Sequence, residues 1–362
     1  MEKKTLRKVK SKVIRIKDIA KIAEVSTGTV DRVIHNRGRV AEEVKEKVLK
    51  IIKELNYEPN LMAKALGSKK LFYIAALIPD HQHDIFWKSP KAGIEKAENE
   101  LKQYGIIVEQ YIFDSLDVKS YIKKAQEITA TKPDGILLSP LFYRETLAFF
   151  KLWSETAIPF VLFNTQITDF DPLSYIGQDS YQSGLLAGKL IHYGQPEPCV
   201  ILVAHIDEEI SNAQHLIKKE LGLKNYFIQH KLDHLYDIKR IELDRSNRSL
   251  FVKKLDEIIE NTIDLKQIFV TTSKAYEVAQ YLEQKHLTHI KLIGYDLVPQ
   301  NIRYLKQGII NFLINQNPKG QGYWGITLLT EHLVFKKEVP LIKYLQLDIV
   351  TNENLNYFLD EA

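Results

Sequence analysis

Ile16-Lys17-Asp18-Ile19-Ala20-Lys21-Ile22-Ala23-Glu24-Val25-Ser26-Thr27-Gly28-Thr29-Val30-Asp31-Arg32-Val33-Ile34 sets the architecture at the head of the chain. Its apolar residues recur at helical spacing. Ile19, Ala20 and Ala23 share one face of a first short helix. Glu24-Val25-Ser26 makes a tight turn, and Ser26 is suited to cap a second helix from Thr27 to about His35. That helix turns Val30, Val33 and Ile34 inward and presents Thr27, Gly28, Thr29, Asp31 and Arg32 on its other face. After the loop Asn36-Arg37-Gly38-Arg39-Val40, a third helix from about Ala41 to Leu55 carries the stripe Val44, Val48, Ile51, Ile52 and Leu55. Two short helices about a sharp turn, braced by a third, form a helix-turn-helix.

The charge distribution agrees with that reading. Residues 1–70 hold 19 Lys and Arg against 9 Asp and Glu, a balance of +10, whereas the other 292 residues balance at −6. A basic head on a mildly acidic body points to a polyanion at one end. Residues 1–15 read as a basic tail, with no apolar stretch behind it to make a signal peptide. The longest apolar run, near Phe72–Ile78, is one strand long and cannot cross a bilayer. One cysteine, Cys199, excludes an internal disulfide framework and suits a reducing compartment, so the expectation is a cytoplasmic protein.

With Leu55-Asn56-Tyr57-Glu58-Pro59-Asn60 added, order and spacing over about 50 residues closely resemble the lactose-repressor (LacI/GalR) family of bacterial transcription factors. The resemblance implies a DNA-binding domain at 16–58 whose second helix enters the major groove of operator DNA. On that alignment Ser26 and Thr29 contact phosphate, while Thr27, Gly28 and Arg32 read bases. The chemistry suits these roles: an arginine can bond guanine O6 and N7 together, and hydroxyls grip phosphate oxygens. Gly28 has no side chain to read with, and Glu24 stands where the family's turn usually has glycine. Residues 59–70 fall on the family's hinge helix and linker, with Ala63 and Leu66 at the minor-groove wedge; the bland alternative is a linker packed on the body.

From Leu71 onward about ten apolar strand-like runs alternate with amphipathic helical stretches, the pattern of parallel sheets covered by helices. So many strands over about 290 residues fit two doubly wound lobes. Markers such as Lys132-Pro133-Asp134-Gly135-Ile136-Leu137, Ile293-Gly294-Tyr295-Asp296 and Gln316…Pro318 are similar to the family's effector domain, of the type I periplasmic-binding-protein fold. That implies an effector domain at 71–362. Its N-lobe spans about 71–165 and 318–342, its C-lobe about 166–317 and 343–362, with crossovers near 164–167, 316–318 and 340–344.

A ligand would then sit between the lobes at the strand ends. Asp84, Phe86 and Trp87 follow the first strand. The resemblance places Asn164, Asp296 and Gln316 at hydroxyl-binding positions, and Lys219 where relatives often have arginine. Asn164-Thr165 and Thr272-Ser273 stand where the ribose-type pattern has Asp-Arg and Asn-Asp.

Two motifs are set aside. Gly320-Gln321-Gly322-Tyr323-Trp324-Gly325 matches a dinucleotide fingerprint, but five residues separate it from its strand and only 14 follow Asp348. His81-Gln82-His83-Asp84 reads as a polar cleft loop rather than a metal set. The expectation is therefore a homodimeric regulator without cofactor, metal or catalytic residues. Its partners are pseudo-palindromic double-stranded operator DNA and a small, carbohydrate-type effector, with no membrane. A solute-binding protein and an α/β enzyme are the rival classes.

The charge asymmetry makes a first prediction. The whole chain should bind duplex DNA with a log–log salt slope of about −0.9 per neutralised phosphate. A fragment starting at Leu71 should fold and lose this binding. Equal binding by fragment and whole chain in a salt titration would overturn the assignment of the head.

Overall fold

The computed structural model describes residues 14–34, 37–55, 57, 66–67, 70–207 and 213–359. The chain divides into two compact units, 1–64 and 65–362.

Among the described residues the first unit contains three helices, α1 (Ile16–Ala23), α2 (Thr27–Ile34) and α3 (Glu42–Glu54). Asp18 accepts a hydrogen bond from the Arg15 amide at the start of α1 (2.9 Å). The Thr29 amide donates to Ser26 Oγ (3.0 Å), which makes Ser26 the cap of α2. Ile19, Ala20, Ala23, Val30, Val33, Val48 and Ile51 form one small core. Between α1 and α2, Glu24 adopts φ 57°, ψ 39°, the left-handed conformation that closes a helix. The turn keeps the shape a glycine would give it, at a steric cost of about 1–2 kcal/mol. Of the expected hinge helix, Leu66 is helical and half exposed, whereas Ala63 and its neighbours from 58 to 65 lie outside the described residues.

Among the described residues the second unit has twelve strands: β1 (Phe72–Pro79), β2 (Ile106–Phe113), β3 (Gly135–Leu138), β4 (Phe160–Phe163), β5 (Ser174–Gly177), β6 (Cys199–Ile206), β7 (Tyr236–Leu243), β8 (Leu265–Val270), β9 (Lys291–Tyr295), β10 (Ile310–Asn315), β11 (Ile342–Tyr344) and β12 (Asp348–Val350). They form two six-stranded sheets, ordered β11-β5-β4-β3-β1-β2 and β12-β10-β9-β8-β6-β7. Every pairing is parallel except that of β12 with β10.

Period-two alternation gives each sheet a core on both faces. Along β1, Ile74, Ala76 and Ile78 pack with Ile94 and Leu329, while Ala75 and Leu77 pack with Tyr121 and Trp153 on the other face. Along β6, Leu202 and Ala204 meet Phe251 and Leu282, and Ile201 and Val203 meet Leu223 and Phe227.

The lobe boundaries differ from the sequence reading in two places. Strand β5 pairs with β4 in the first sheet, so the first crossover lies at 178–179 and not at 164–167. The run Lys343–Val350, expected as one strand, is β11 in the first sheet and β12 in the second, so the last crossover falls at 345–347. The crossover at 316–318 lies where expected, between β10 and the helix Pro318–Leu333.

The glycine-rich run 320–325 is helical and packs that helix on its neighbour Lys88–Leu101. A Cβ on Gly322 would stand 2.1 Å from the Pro90 carbonyl oxygen, so the glycine serves close helix contact and not a phosphate loop. Among the described residues no helix is long and apolar enough to cross a membrane.

Replacing Glu24 by glycine should relieve the left-handed strain while adding chain entropy to the unfolded state. The net expectation is a head more stable by about 0.5–1 kcal/mol, read by denaturant unfolding of the 1–64 transition. A less stable Glu24→Gly head would contradict the strain assigned to this turn.

Candidate functional site

On the head, the first turn of α2 and the residue that follows it on the same side are open to solvent. Ser26, Thr27, Gly28 and Arg32 are exposed and Thr29 is half-buried. Ser26 Oγ and Thr29 Oγ1 lie 2.9 Å apart, so the two hydroxyls expected at phosphate also brace each other. A Cβ on Gly28 would meet only Ser26 Oγ, at 3.7 Å, so the backbone does not require glycine there. Arg32, Arg39 and Lys45 surround a shallow depression beside the helix. The face offers donors and positive charge without a competing carboxylate in its first turn.

In the body, the carboxyl ends of both sheets open on one cavity of about 260 Å³. Asp84, Phe86, Trp87, Asn164, Lys219, Asp296 and Gln316, the seven residues singled out in the sequence, all line it. Phe86 and Trp87 form a short 3-10 turn capped by Asp84, whose Oδ1 accepts from the Phe86 amide (3.1 Å). Their rings meet edge to face with centroids 4.9 Å apart. Asn164 and Asp296 follow β4 and β9 in the left-handed conformation, with φ of 65° and 64°. Asn and Asp tolerate that region best among residues with a side chain, and here it turns the chain sharply at the strand end.

Asp296 is buried beneath the cavity. The Gln316 amide donates to Oδ1 (3.2 Å) and the Gln316 side chain donates to Oδ2. Gln178, from the first crossover, in turn donates to the Gln316 carboxamide oxygen. Lys219 sends its ammonium to the Thr271 carbonyl (2.8 Å) and over the Tyr295 ring, 3.7 Å from the centroid. Buried Asn301 donates to the carbonyls of Ser273, Tyr295 and Asp296 and accepts from the Tyr276 amide, fixing the ends of β8 and β9 together. Burial pushes the Asp296 carboxyl up to about 6, against the opposing pull of Lys219 and the two Gln316 hydrogen bonds.

Behind this set, His205 is fully buried between Thr271 Oγ1 (2.7 Å) and Glu220 Oε2 (3.2 Å). Burial works against the Glu220 charge. Hydrogen bonds from His205, Arg240 and Lys224 outweigh it and hold that carboxyl well below the ordinary range.

The sequence reading missed Asp207, His215, Arg245 and Lys274, which also line the cavity. Asp207, Arg245 and Lys274 stand just after β6, β7 and β8, so the strand-end rule that found Asp84 would have found them too. Of the His81–Asp84 run, His83 faces Asp114 (3.2 Å) and Asp84 faces Lys274. Among the described residues no cluster of His, Cys, Asp or Glu could hold a metal ion.

Residues 15–60 match the model for bacterial regulatory proteins of the lacI family, and residues 74–337 match the periplasmic binding protein domain. The transcriptional regulator MalR of Streptococcus pneumoniae is 27% identical over 309 residues, covering 83% of this chain and 88% of that protein. The ribose operon repressor of Halalkalibacterium halodurans is 32% identical over 158 residues, 44% of this chain and 45% of its own. Among solved structures, one described as a LacI transcriptional regulator from Bacteroides fragilis aligns with a TM-score of 0.73 at 29% identity, covering 80% of this chain and 99% of that one. A glucose-galactose binding protein from Geobacillus stearothermophilus shares the fold, with a TM-score of 0.70 at 23% identity, covering 79% of this chain and 99% of that one.

The raised Asp296 carboxyl makes a prediction about pH. A carboxyl that holds its proton more tightly folded than unfolded favours folding in acid, and that contribution is lost as pH climbs through the interval between its two pKa values. Here the interval runs from 3.8 to about 6. Relative to Asp296→Asn, which has no such proton, the wild-type melting temperature should fall across this interval and level off above it. Parallel melting curves for the two proteins across the series would show an ordinary carboxyl.

Proposed function

The chain belongs to the lacI family of bacterial regulatory proteins, DNA-binding regulators of transcription, and from that premise we propose that a carbohydrate held between its lobes controls its operator binding. The observation that carries this reading is one chain combining an exposed basic helix-turn-helix with a cleft of hydroxyl-matching groups. Asn164, Asp296 and Gln316 offer carboxamide and carboxylate groups that pair with vicinal hydroxyls. Phe86, Trp87 and Phe142 offer ring surface for the apolar face of a sugar. The names of the relatives, a ribose operon repressor and a sucrose operon repressor among them, support the same class of ligand.

At the DNA, Arg32 reads a base edge in the major groove while Ser26 and Thr29 hold phosphate, with Thr27 and Gly28 against the bases. Ala63 and Leu66 take the minor groove at the operator centre. Two copies of the chain present two heads to two half-sites, so a pseudo-palindromic operator matches a symmetric dimer. The effector acts through unequal affinity for two lobe arrangements, the only way a ligand can shift such an equilibrium. The regulator works in the cytoplasm, where its DNA is, and performs no catalysis.

A thermal-shift screen of sugars and glycosides on wild type, Asp296→Ala and Gln316→Ala tests the cleft. The sugar that stabilises wild type should lose about 1–3 kcal/mol of affinity with either variant, because each leaves a desolvated partner without its bond. Operator binding of both variants should stay at the wild-type level, whereas Arg32→Ala should weaken it by about 1–3 kcal/mol and relax preference at one position per half-site. Equal shifts in all three proteins would remove Asp296 and Gln316 from the ligand site.

A further inference from the structure

The two sheets are joined along one side only. β5, β11, β10 and β12, the strands next to the crossovers, all lie at that end of their sheets. The opposite ends carry β1 and β2 in the first lobe and β6 and β7, beside β8, in the second; no crossover ties the lobes on that side, taken here as the mouth of the cleft. The two lobes nevertheless touch across that mouth. Lys274 Nζ, after β8, lies 2.8 Å from Asp84 Oδ2, after β1. Arg245 Nη2, after β7, donates to the His83 carbonyl at 2.7 Å. The Lys274 and Asp84 side chains are only 6% and 12% exposed, so water screens this pair little.

Each group is prepared for this from its own lobe. Asp84 uses its other oxygen to cap the turn at Phe86, which fixes the carboxylate's direction. Arg245 is held from below by Asp207 and by Tyr276 Oη (2.9 Å). Lys274 stands at the N-cap of the helix Ala275–Gln284, where the helix dipole disfavours a cation. Helix stability does not call for a lysine there; a carboxylate facing it from the other lobe does. The second lobe thus sends two cations across the mouth, and the first meets them with a carboxylate and a carbonyl. Two further cross-lobe bonds among the described residues, Thr165 to His215 and Lys218 to Gln166, start from the loop after β4, nearer the crossovers.

We propose that Asp84–Lys274, seconded by Arg245 on the His83 carbonyl, is a latch that holds the lobes closed without ligand and so sets how readily the cleft admits its effector. A closed population maintained by the protein's own ion pair lowers the apparent affinity of a ligand that enters the open form, by the fraction that is open. Because Asp84, Arg245 and Lys274 also line the cavity, whatever occupies the mouth end meets the same three groups. The latch takes its purpose from the effector reading above, but its test uses no ligand, so either can fail alone.

The test is amide hydrogen exchange on the full-length, ligand-free protein as wild type, Asp84→Asn, Lys274→Met and the double variant. Asparagine keeps an acceptor for the Phe86 cap, and Lys274→Met alters only the other lobe. Breaking the latch should speed exchange at residues 83–87 about fivefold or more, a typical coupling between sites. All three variants should give the same acceleration, while β1 and β8 stay protected. Small-angle scattering should show a larger radius of gyration for the double variant. Acceleration in Asp84→Asn alone would reduce the effect to local loss of the cap and overturn the latch. Unchanged exchange at 83–87 in Lys274→Met, or additive effects in the double variant, would overturn it equally.

Discussion

Three passages of the chain between two parallel sheets, all along one side, constrain everything else in the effector unit. Parallel strands must all finish at the same edge, and two sheets tied in this way point their finishing edges at each other. The loops that leave β1 to β4 and β6 to β10 therefore border the cleft. Polar residues such as Asn164, Asp207 and Asp296 can turn sharply there in left-handed conformations that would be costly inside an element. Lobes tied on one side are also free to part on the other. The cross-lobe bonds of Asp84 and Arg245 matter because they stand where the connectivity leaves the lobes least restrained.

The buried polar groups follow from the same constraint. Asp296 sits where its carboxyl loses water, and its neighbours compensate only in part, leaving its pKa near 6. Gln178 and Gln316, on two of the crossovers, form the chain of hydrogen bonds that ends on it. A ligand bound to Asp296 would thus act on residues of the segments about which the lobes pivot. Close helix contact supports this frame in each lobe: Gly322 lies against Pro90 in one, and Gly184 lies against Lys219 in the other.

Much of this was legible from the sequence. The head helices were readable because seven core residues repeat at helical spacing over 19–51, and local capping by Ser26 marks the turn. β2 and β3 were readable to the residue, β3 as a bounded apolar run and β2 as two apolar triplets around Glu109-Gln110, closed off by Gly105 and Asp114. β5 was missed because Ser174-Tyr175-Ile176-Gly177 is four residues long and begins and ends with small residues, too short for periodicity to register. The run 343–350 misled because its apolar content continues through 345–347, where the chain changes sheets; local pattern does not record which sheet a strand joins. In the cleft, the strand-end rule pointed to Asp84 and the family resemblance to Asn164 and Asp296, and all three line the cavity. Arg245 and Lys274 satisfy the same rule, but their pairing with His83 and Asp84 was not legible, because those partners lie far off in sequence.

Thermodynamic coupling between the cleft and the DNA-reading head must be reciprocal. Two titrations suffice on full-length protein: operator affinity with and without a saturating cleft-binding sugar, and sugar affinity with and without saturating operator. Coupling requires the same factor in both, expected at about 5–150-fold. Sugar affinity that is identical with operator bound and operator absent would rule out this coupling, whatever else the cleft binds.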